Sequence, residues 1–267
     1  MKLRRIISAV LASLLTAGLA LTSSGTAQAA GEEYVALGDS YSSGVGAGDY
    51  LPESGSCLRS KYAYPSEYNR QRKPSKFSFM ACSGATTVDV LNTQLGPLNA
   101  STTLVSVGAG GNDAGFSDVI RTCVLNITDS ACISRINQAR DFANRQLPGR
   151  LDALYNAIKQ RAPKARVVVL GVAQLYTLDN GFCAGISNTK RKAINDAADL
   201  LNSIMSGRAA AHGFRWGNVQ RLFSGHAICS DQSYLWDVNV TNTTESYHPN
   251  MLGQRRGYYE AFVRAAG

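Results

Sequence analysis

Tyr34-Val35-Ala36-Leu37-Gly38-Asp39-Ser40-Tyr41-Ser42 decides how this chain folds. Its first four residues are apolar without alternation, as in a short strand buried on both faces of a parallel sheet, and the run breaks into polar residues. Working outward, four more short and mostly apolar runs read as strands: Phe77–Met80, Leu104–Val107, Val167–Leu170 and Phe214–Trp216 or its neighbours. Between the last two, Asn188–His212 places Ile194, Ala197, Leu201 and Ile204 at spacings of three and four, one apolar face of a long helix. Ile133–Lys159 does likewise through Ile136, Phe142, Leu151, Leu154 and Ile158. Pro148 and Gly149 interrupt it, which predicts two helices with the second starting near Pro148. Strands alternating with helices predict an α/β chain: a three-layer α/β/α sandwich on a flavodoxin-like, five-stranded parallel sheet of order 2-1-3-4-5. Ligands of such sheets bind beyond the strand C-termini, where the order reverses between the first and third strands.

The first thirty residues read as an export signal. Lys2, Arg4 and Arg5 are followed by an almost wholly apolar run, Ile6–Leu21, and by the small-residue stretch Ala27-Gln28-Ala29-Ala30. The apolar run is short for the ~20 residues that span a bilayer. Residues 1–30 are therefore expected to be cleaved, leaving residues 31–267 as one secreted, extracellular domain with no transmembrane segment. Losing three basic residues and no acidic ones lowers the formal charge from +8 to +5. Arg70-Gln71-Arg72-Lys73 and Lys190-Arg191-Lys192 are the densest basic runs and read as solvated faces. This charge is compatible with a weak preference for anionic lipid surfaces, and nothing points to nucleic acid. Cys57, Cys82, Cys123, Cys132, Cys183 and Cys229 all lie in the exported part, so disulfides are the default. Fifteen pairings are open; neighbours along the chain close the shortest loops, which favours 57–82, 123–132 and 183–229. Without a C-x-x-C motif or a histidine near several cysteines, no metal or other cofactor is expected.

Four groups fall at the expected strand ends and toward the C-terminus: Gly38-Asp39-Ser40-Tyr41-Ser42, Cys82-Ser83-Gly84-Ala85, Gly110-Gly111-Asn112-Asp113 and Glu245-Ser246-Tyr247-His248-Pro249. In this order they resemble the four blocks of the SGNH (GDSL) hydrolases, over the chain from Tyr34 to about residue 260. The cysteine placement and the G-D-S-Y-S variant look most like the secreted lipases, esterases and phospholipases A of filamentous actinobacteria. Each block alone is a weak signal; all four in order are specific.

The residue types suit acyl transfer. An alcohol is a poor nucleophile at neutral pH, so Ser40 needs a base, and a histidine suits that task. His248 is the candidate, because Pro249 after it can open a helix and fix the preceding loop. His212 ends a helix and reads as a cap for its carbonyls, and His226 as a surface or packed residue. The resemblance implies an oxyanion hole from the backbone N–H groups of Ser40 and Gly84 and the side-chain amide of Asn112. A glycine lets the backbone approach closely, and an amide donates without titrating. The structural alternatives are a helix cap for Ser40, a turn glycine for Gly84 and a turn asparagine for Asn112; Asp39 reads as a structural partner of its turn. For the third triad member, relatives usually carry Asp three residues before the histidine, where this chain has Glu245. The alternative is a Ser-His dyad whose ring is held by the carbonyl of Ser246. Gln254 stands where many relatives have another histidine and receives no role.

The resemblance implies a serine carboxylic-ester hydrolase acting on lipid esters as a monomer. Lipase or esterase activity comes first, then phospholipase A, then deacetylation of plant polysaccharides. A non-catalytic binding module on the same scaffold and a serine peptidase are the rival classes. Gly44–Gly48 reads as backbone close to the substrate or as a flexible turn. Tyr41, Tyr50, Leu51 and Phe116 either line an acyl channel or pack the loops, and no lid helix is evident.

Overall fold

The computed structural model describes residues 31–125, 127–178, 183 and 185–267. The export-signal reading of residues 1–30 lies outside the described residues. Five strands, β1 Glu33–Gly38, β2 Lys76–Phe79, β3 Leu104–Gly108, β4 Arg166–Leu170 and β5 Arg215–Gly217, form one sheet. Every pair is parallel and the order is β2-β1-β3-β4-β5, as the sequence predicts. Tyr34 stands opposite Leu104 and Gly38 opposite Gly108, so β1 and β3 end level, on either side of the point where the order reverses.

Side chains alternate across the sheet with a period of two. Tyr34, Ala36, Leu104, Val168 and Leu170 enter one apolar cluster with Phe262 and Ile136, whereas Val35, Leu37, Val105, Val107, Val167 and Val169 enter a second with Leu151, Leu154 and Met205. Both faces are thus covered, which is why the strands carry no polar alternation. Each large apolar side chain so buried contributes about 1.5–3 kcal/mol relative to exposure. The polar atoms that enter these layers are paired: the hydroxyl of Tyr34 meets that of Ser106 at 2.8 Å.

The helices among the described residues are α1 Ser40–Ser43, α2 Tyr64–Arg72, α3 Thr87–Asp89, α4 Phe116–Leu125, α5 Asp129–Arg145, α6 Leu147–Arg161, α7 Asn188–Ala211, α8 Val219–Phe223 and α9 Tyr259–Ala266. Pro148 sits in the first turn of α6, where its missing N–H costs nothing, and the expected break between α5 and α6 falls at Gln146. The periodic reading missed α4, whose buried face is only Val119, Ile120 and Cys123, too short a stripe to read as a helix. β2 and β5 are displaced by one residue from expectation, within the ordinary ambiguity of strand ends. The three disulfides join Cys57 to Cys82, Cys123 to Cys132 and Cys183 to Cys229, the pairing favoured by loop length. No helix among the described residues is long and apolar enough to cross a membrane.

Candidate active site

The site begins where β1 stops. Gly38 has φ +134°, and a Cβ there would lie 2.5 Å from the Gly108 carbonyl oxygen, so only glycine fits this turn. Gln94 grips the Gly38 peptide from both sides, accepting from its N–H and donating to its carbonyl, each at 2.8 Å. Asp39 then caps the single turn α1, its Oδ1 accepting the Tyr41 N–H at 3.0 Å. Ser40 is therefore not the cap considered above but the first residue of the turn, where a backbone N–H has no intrahelical partner. Burial pushes the Asp39 carboxyl up to about 7; the Tyr41 N–H opposes this, and the neighbouring Asp113 charge adds to it.

His248 arrives from the other end of the chain. Its Nε2 lies 2.8 Å from Ser40 Oγ, across 208 residues of sequence. Its Nδ1 lies 3.0 Å from the Ser246 carbonyl oxygen, which fixes the tautomer: Nδ1 carries the proton and Nε2 is free to accept one. Between them Tyr247 adopts φ +62°, a left-handed conformation that is uncommon for a side chain of this size, and folds the chain back on itself. Tyr41 holds that turn by donating its hydroxyl to the Tyr247 carbonyl at 2.6 Å. Burial pushes the imidazole down to about 4, against the backbone carbonyls that favour its charged form.

Glu245, expected beside the imidazole, is placed differently. Its Oε1 accepts the Tyr50 hydroxyl at 2.7 Å and its Oε2 accepts the Asn239 side-chain amide at 3.1 Å. The partner of Nδ1 is the Ser246 carbonyl. The carboxylate of Glu245 is turned instead to Tyr50, in the loop after α1.

Asp113 ties the segment that follows Gly84 to the one that carries Asn112. Its carboxylate is fully buried and accepts the Thr87 N–H at 2.8 Å, the Thr87 hydroxyl at 2.7 Å and the Arg150 guanidinium at 3.2 Å. Asn112 Nδ2 donates to the Ala85 carbonyl at 3.0 Å, which orients the amide and uses one of its two N–H bonds. Gly84 has φ +80°, a conformation glycine adopts without strain.

From Ser40 and Asn112 a cleft of about 850 Å³, counting its open mouth, runs between α4, α5 and α7. Its walls are almost wholly apolar: Phe116, Val119, Ala139, Ala143, Ile194 and Leu201. Of the aromatic candidates, Tyr41 and Phe116 line this cleft, whereas Tyr50 and Leu51 are not among its lining residues.

A serine hydroxyl within hydrogen-bond reach of an imidazole, beside an apolar cleft, suits acyl transfer, and comparison with known proteins gives the lineage. Residues 36–256 match the model of the GDSL-like lipase/acylhydrolase family. The chain belongs to this family. It is 50% identical over 266 residues to Lipase 1 of Streptomyces coelicolor, covering 98% of each chain. Among solved structures, phospholipase A1 from Streptomyces albidoflavus NA297 superposes with TM-score 0.86 and 51% identity, over 88% of this chain and 100% of that one. The extracellular lipase from Streptomyces rimosus gives 0.85 and 49%, over 88% and 99%. As a member of the GDSL-like lipase/acylhydrolase family the chain is an ester hydrolase.

The other two histidines do different work. His212 ends α7, but its ring bonds Asp152 at 2.9 Å rather than the helix carbonyls, and Asp152 also holds Arg208 at 2.7 Å. His226 stacks on Tyr234 at 3.9 Å between ring centroids. Gln254, to which the sequence assigns nothing, is fully buried, accepts the Tyr64 N–H and donates to the Tyr41 carbonyl, so it fixes the turn behind Ser40. Its sequence signals are its place where many relatives have a histidine and its polarity within the last helical segment. Gln94, which holds the Gly38 peptide, leaves no clearer one.

Proposed function

We propose that the protein is a secreted serine esterase of lipids that works through a Ser40–His248 dyad. The observation that carries this reading is the 2.8 Å contact between His248 Nε2 and Ser40 Oγ, with Nδ1 already committed to a backbone carbonyl. Ser40 Oγ adds to the ester carbonyl while Nε2 takes its proton. The oxyanion forms against the N–H groups of Ser40 and Gly84 and the free N–H of Asn112, donors set in place before the charge appears. The tetrahedral species collapses, the C–O bond to the alcohol breaks, and the alkoxide leaves with the proton from Nε2. Water then repeats the sequence on the acyl-enzyme, again with His248 as base, and releases the acid. Because burial holds the imidazole near 4, it is neutral and able to accept a proton throughout the neutral range.

The apolar cleft beside Ser40 supports a long acyl chain over an acetyl group as the part recognised. Phospholipase A1 activity is the second reading, favoured by the resemblance to the Streptomyces albidoflavus enzyme, which equals that to the lipases. We propose further that residues 31–267 are the mature, monomeric, extracellular domain, a reading supported by three disulfides and by the relative described as extracellular. A fluorophosphonate should label the purified protein stoichiometrically at Ser40. Triacylglycerols, phosphatidylcholine, acetylated xylan, and p-nitrophenyl esters beside the matching anilides, assayed in parallel, then rank the substrates. Absence of labelling, with no hydrolysis of any ester, sinks the proposal.

A further inference from the structure

The loop that carries His248 and the loop that follows Ser40 are joined at a point away from the reacting atoms. Gly46 is its centre. The Gly46 N–H donates to the Tyr50 hydroxyl at 3.0 Å, and its carbonyl accepts the indole N–H of Trp236 at 2.7 Å. At φ +91° it leaves no room for a side chain: a Cβ would lie 2.8 Å from the Pro249 carbonyl and 3.0 Å from His248 Cβ. The Gly46 peptide is therefore packed against the foot of the imidazole.

Tyr50 passes this connection onward. Its hydroxyl accepts from Gly46 and donates to Glu245 Oε1 at 2.7 Å. The remaining carboxylate oxygen of Glu245 takes the Asn239 amide, and Asn239 is itself locked, with its Oδ1 accepting from Thr241 N–H, Thr241 hydroxyl and Asn242 N–H. The Asn239 N–H reaches the Ser246 hydroxyl at 2.9 Å. The Glu245 carbonyl receives the His248 N–H at 3.2 Å, and the next carbonyl, that of Ser246, holds the ring. Every link is an oriented hydrogen bond; Glu245 accepts from two side-chain donors, and the Tyr50 hydroxyl is the one that leads on to Gly46.

We propose that Tyr50 and Glu245 are positioning residues for the hydrolysis: together they hold the Gly46 peptide and the Ser246 carbonyl around His248, so that Glu245 serves the imidazole by reach and not by direct charge contact. The inference rests on the Ser40–His248 reading above and adds to it two residues that touch neither the nucleophile nor the ring. Small displacements of a base are costly to turnover and leave substrate binding in the cleft largely untouched, so the loss belongs in kcat and not in KM.

The test is a set of five variants assayed on a soluble p-nitrophenyl ester, with H248A beside them. Y50F and E245A should each lower kcat about tenfold at unchanged KM, and Y50F/E245A should be no worse than either alone, because both break one chain of contacts. E245D keeps the charge but withdraws it from Tyr50, and should resemble E245A. E245Q keeps the reach and the Tyr50 bond, and should stay within about threefold of wild type. Wild-type turnover in Y50F, additive losses in the double variant, or a fully active E245D beside an inactive E245Q would each overturn the clamp. The H248A control separates the two layers. Loss of hydrolysis there, with a wild-type Y50F, removes the clamp alone; retained hydrolysis in H248A removes the dyad on which it rests.

Discussion

Two arms of the molecule converge on Ser40, and they are held by different kinds of force. The arm bearing Gly84 and Asn112 is tied by a disulfide from Cys82 to Cys57 and by the buried carboxylate of Asp113, which gathers Thr87 and Arg150. The arm bearing His248 runs from Leu235 to Pro249 with a single 3-10 turn at Thr243–Glu245, and is tied by separate side-chain hydrogen bonds: Trp236 to the Gly46 carbonyl, Tyr50 to Glu245, and Tyr41 to the carbonyl of the left-handed Tyr247. The difference suits the roles proposed for them. Donors that face a developing oxyanion must not reorient when charge appears, and a buried carboxylate with three partners holds its neighbours stiffly. An imidazole needs one axis fixed, from Nδ1 to Nε2, and one backbone carbonyl supplies it.

The comparison can be broken from either arm. On the base arm, H248A should cost roughly 10⁴- to 10⁶-fold in kcat, read under single turnover with a p-nitrophenyl ester; a loss under tenfold would remove His248 from the mechanism. On the oxyanion arm, N112A should cost about 10²- to 10³-fold in kcat with little change in KM. D113A tests the tie and not the chemistry. It leaves Thr87 and Arg150 without their common acceptor and should destabilise the protein by about 2 kcal/mol in urea unfolding while also lowering kcat. Unchanged stability would mean that the two arms are held alike.

The smallest effect concerns pH. Since the imidazole is pushed down to about 4, the acid limb of kcat/KM should fall near pH 4 and not near 6.5, with activity lost as pH drops. The same shift makes a stability statement. The neutral ring is favoured in the folded state, so its contribution is whole above about 6.5 and is lost as pH falls from there through about 4. The buried Asp39 acts in the opposite sense. With its carboxyl raised to about 7, the folded state loses stability as pH climbs from the unfolded value through 7, and D39N, which can still cap α1, should raise Tm more at pH 8 than at pH 4. A pH-independent gain would mean that Asp39 is not held in its neutral form.

Much of the architecture was legible because buried parallel strands leave an unmistakable composition. Val167–Leu170 is apolar throughout and Leu104–Val107 apolar but for Ser106, since both faces of the sheet are covered, and their alternation with the periodic stretch of α7 orders the layers. Ser40, Gly84, Asn112 and His248 stood out for a different reason: they lie in short motifs, three after strands and one in a C-terminal loop, whose residue types suit the chemistry proposed for them. What could not be read was whatever depends on distance through space. Glu245 has the spacing of a triad acid, and nothing local to its sequence says that Tyr50, 195 residues earlier, will hold its carboxylate. Gln254 and Gln94 are likewise ordinary glutamines until the chain closes on them.

The line between the two is physical. The sequence by itself determined the period of each element, the turn glycines, the supply of nucleophile, base and amide donors, and the even set of cysteines, because these depend on residue type and on neighbours a few positions away. Tertiary structure alone decided that Nδ1 of His248 meets a carbonyl and not a carboxylate, that Asp39 and not Ser40 caps the first turn, and that α4, α5 and α7 leave a cleft beside the nucleophile. Hydrogen bonds weaken steeply with small errors in distance and angle, and the relative placement of segments two hundred residues apart is set only when the whole core has packed.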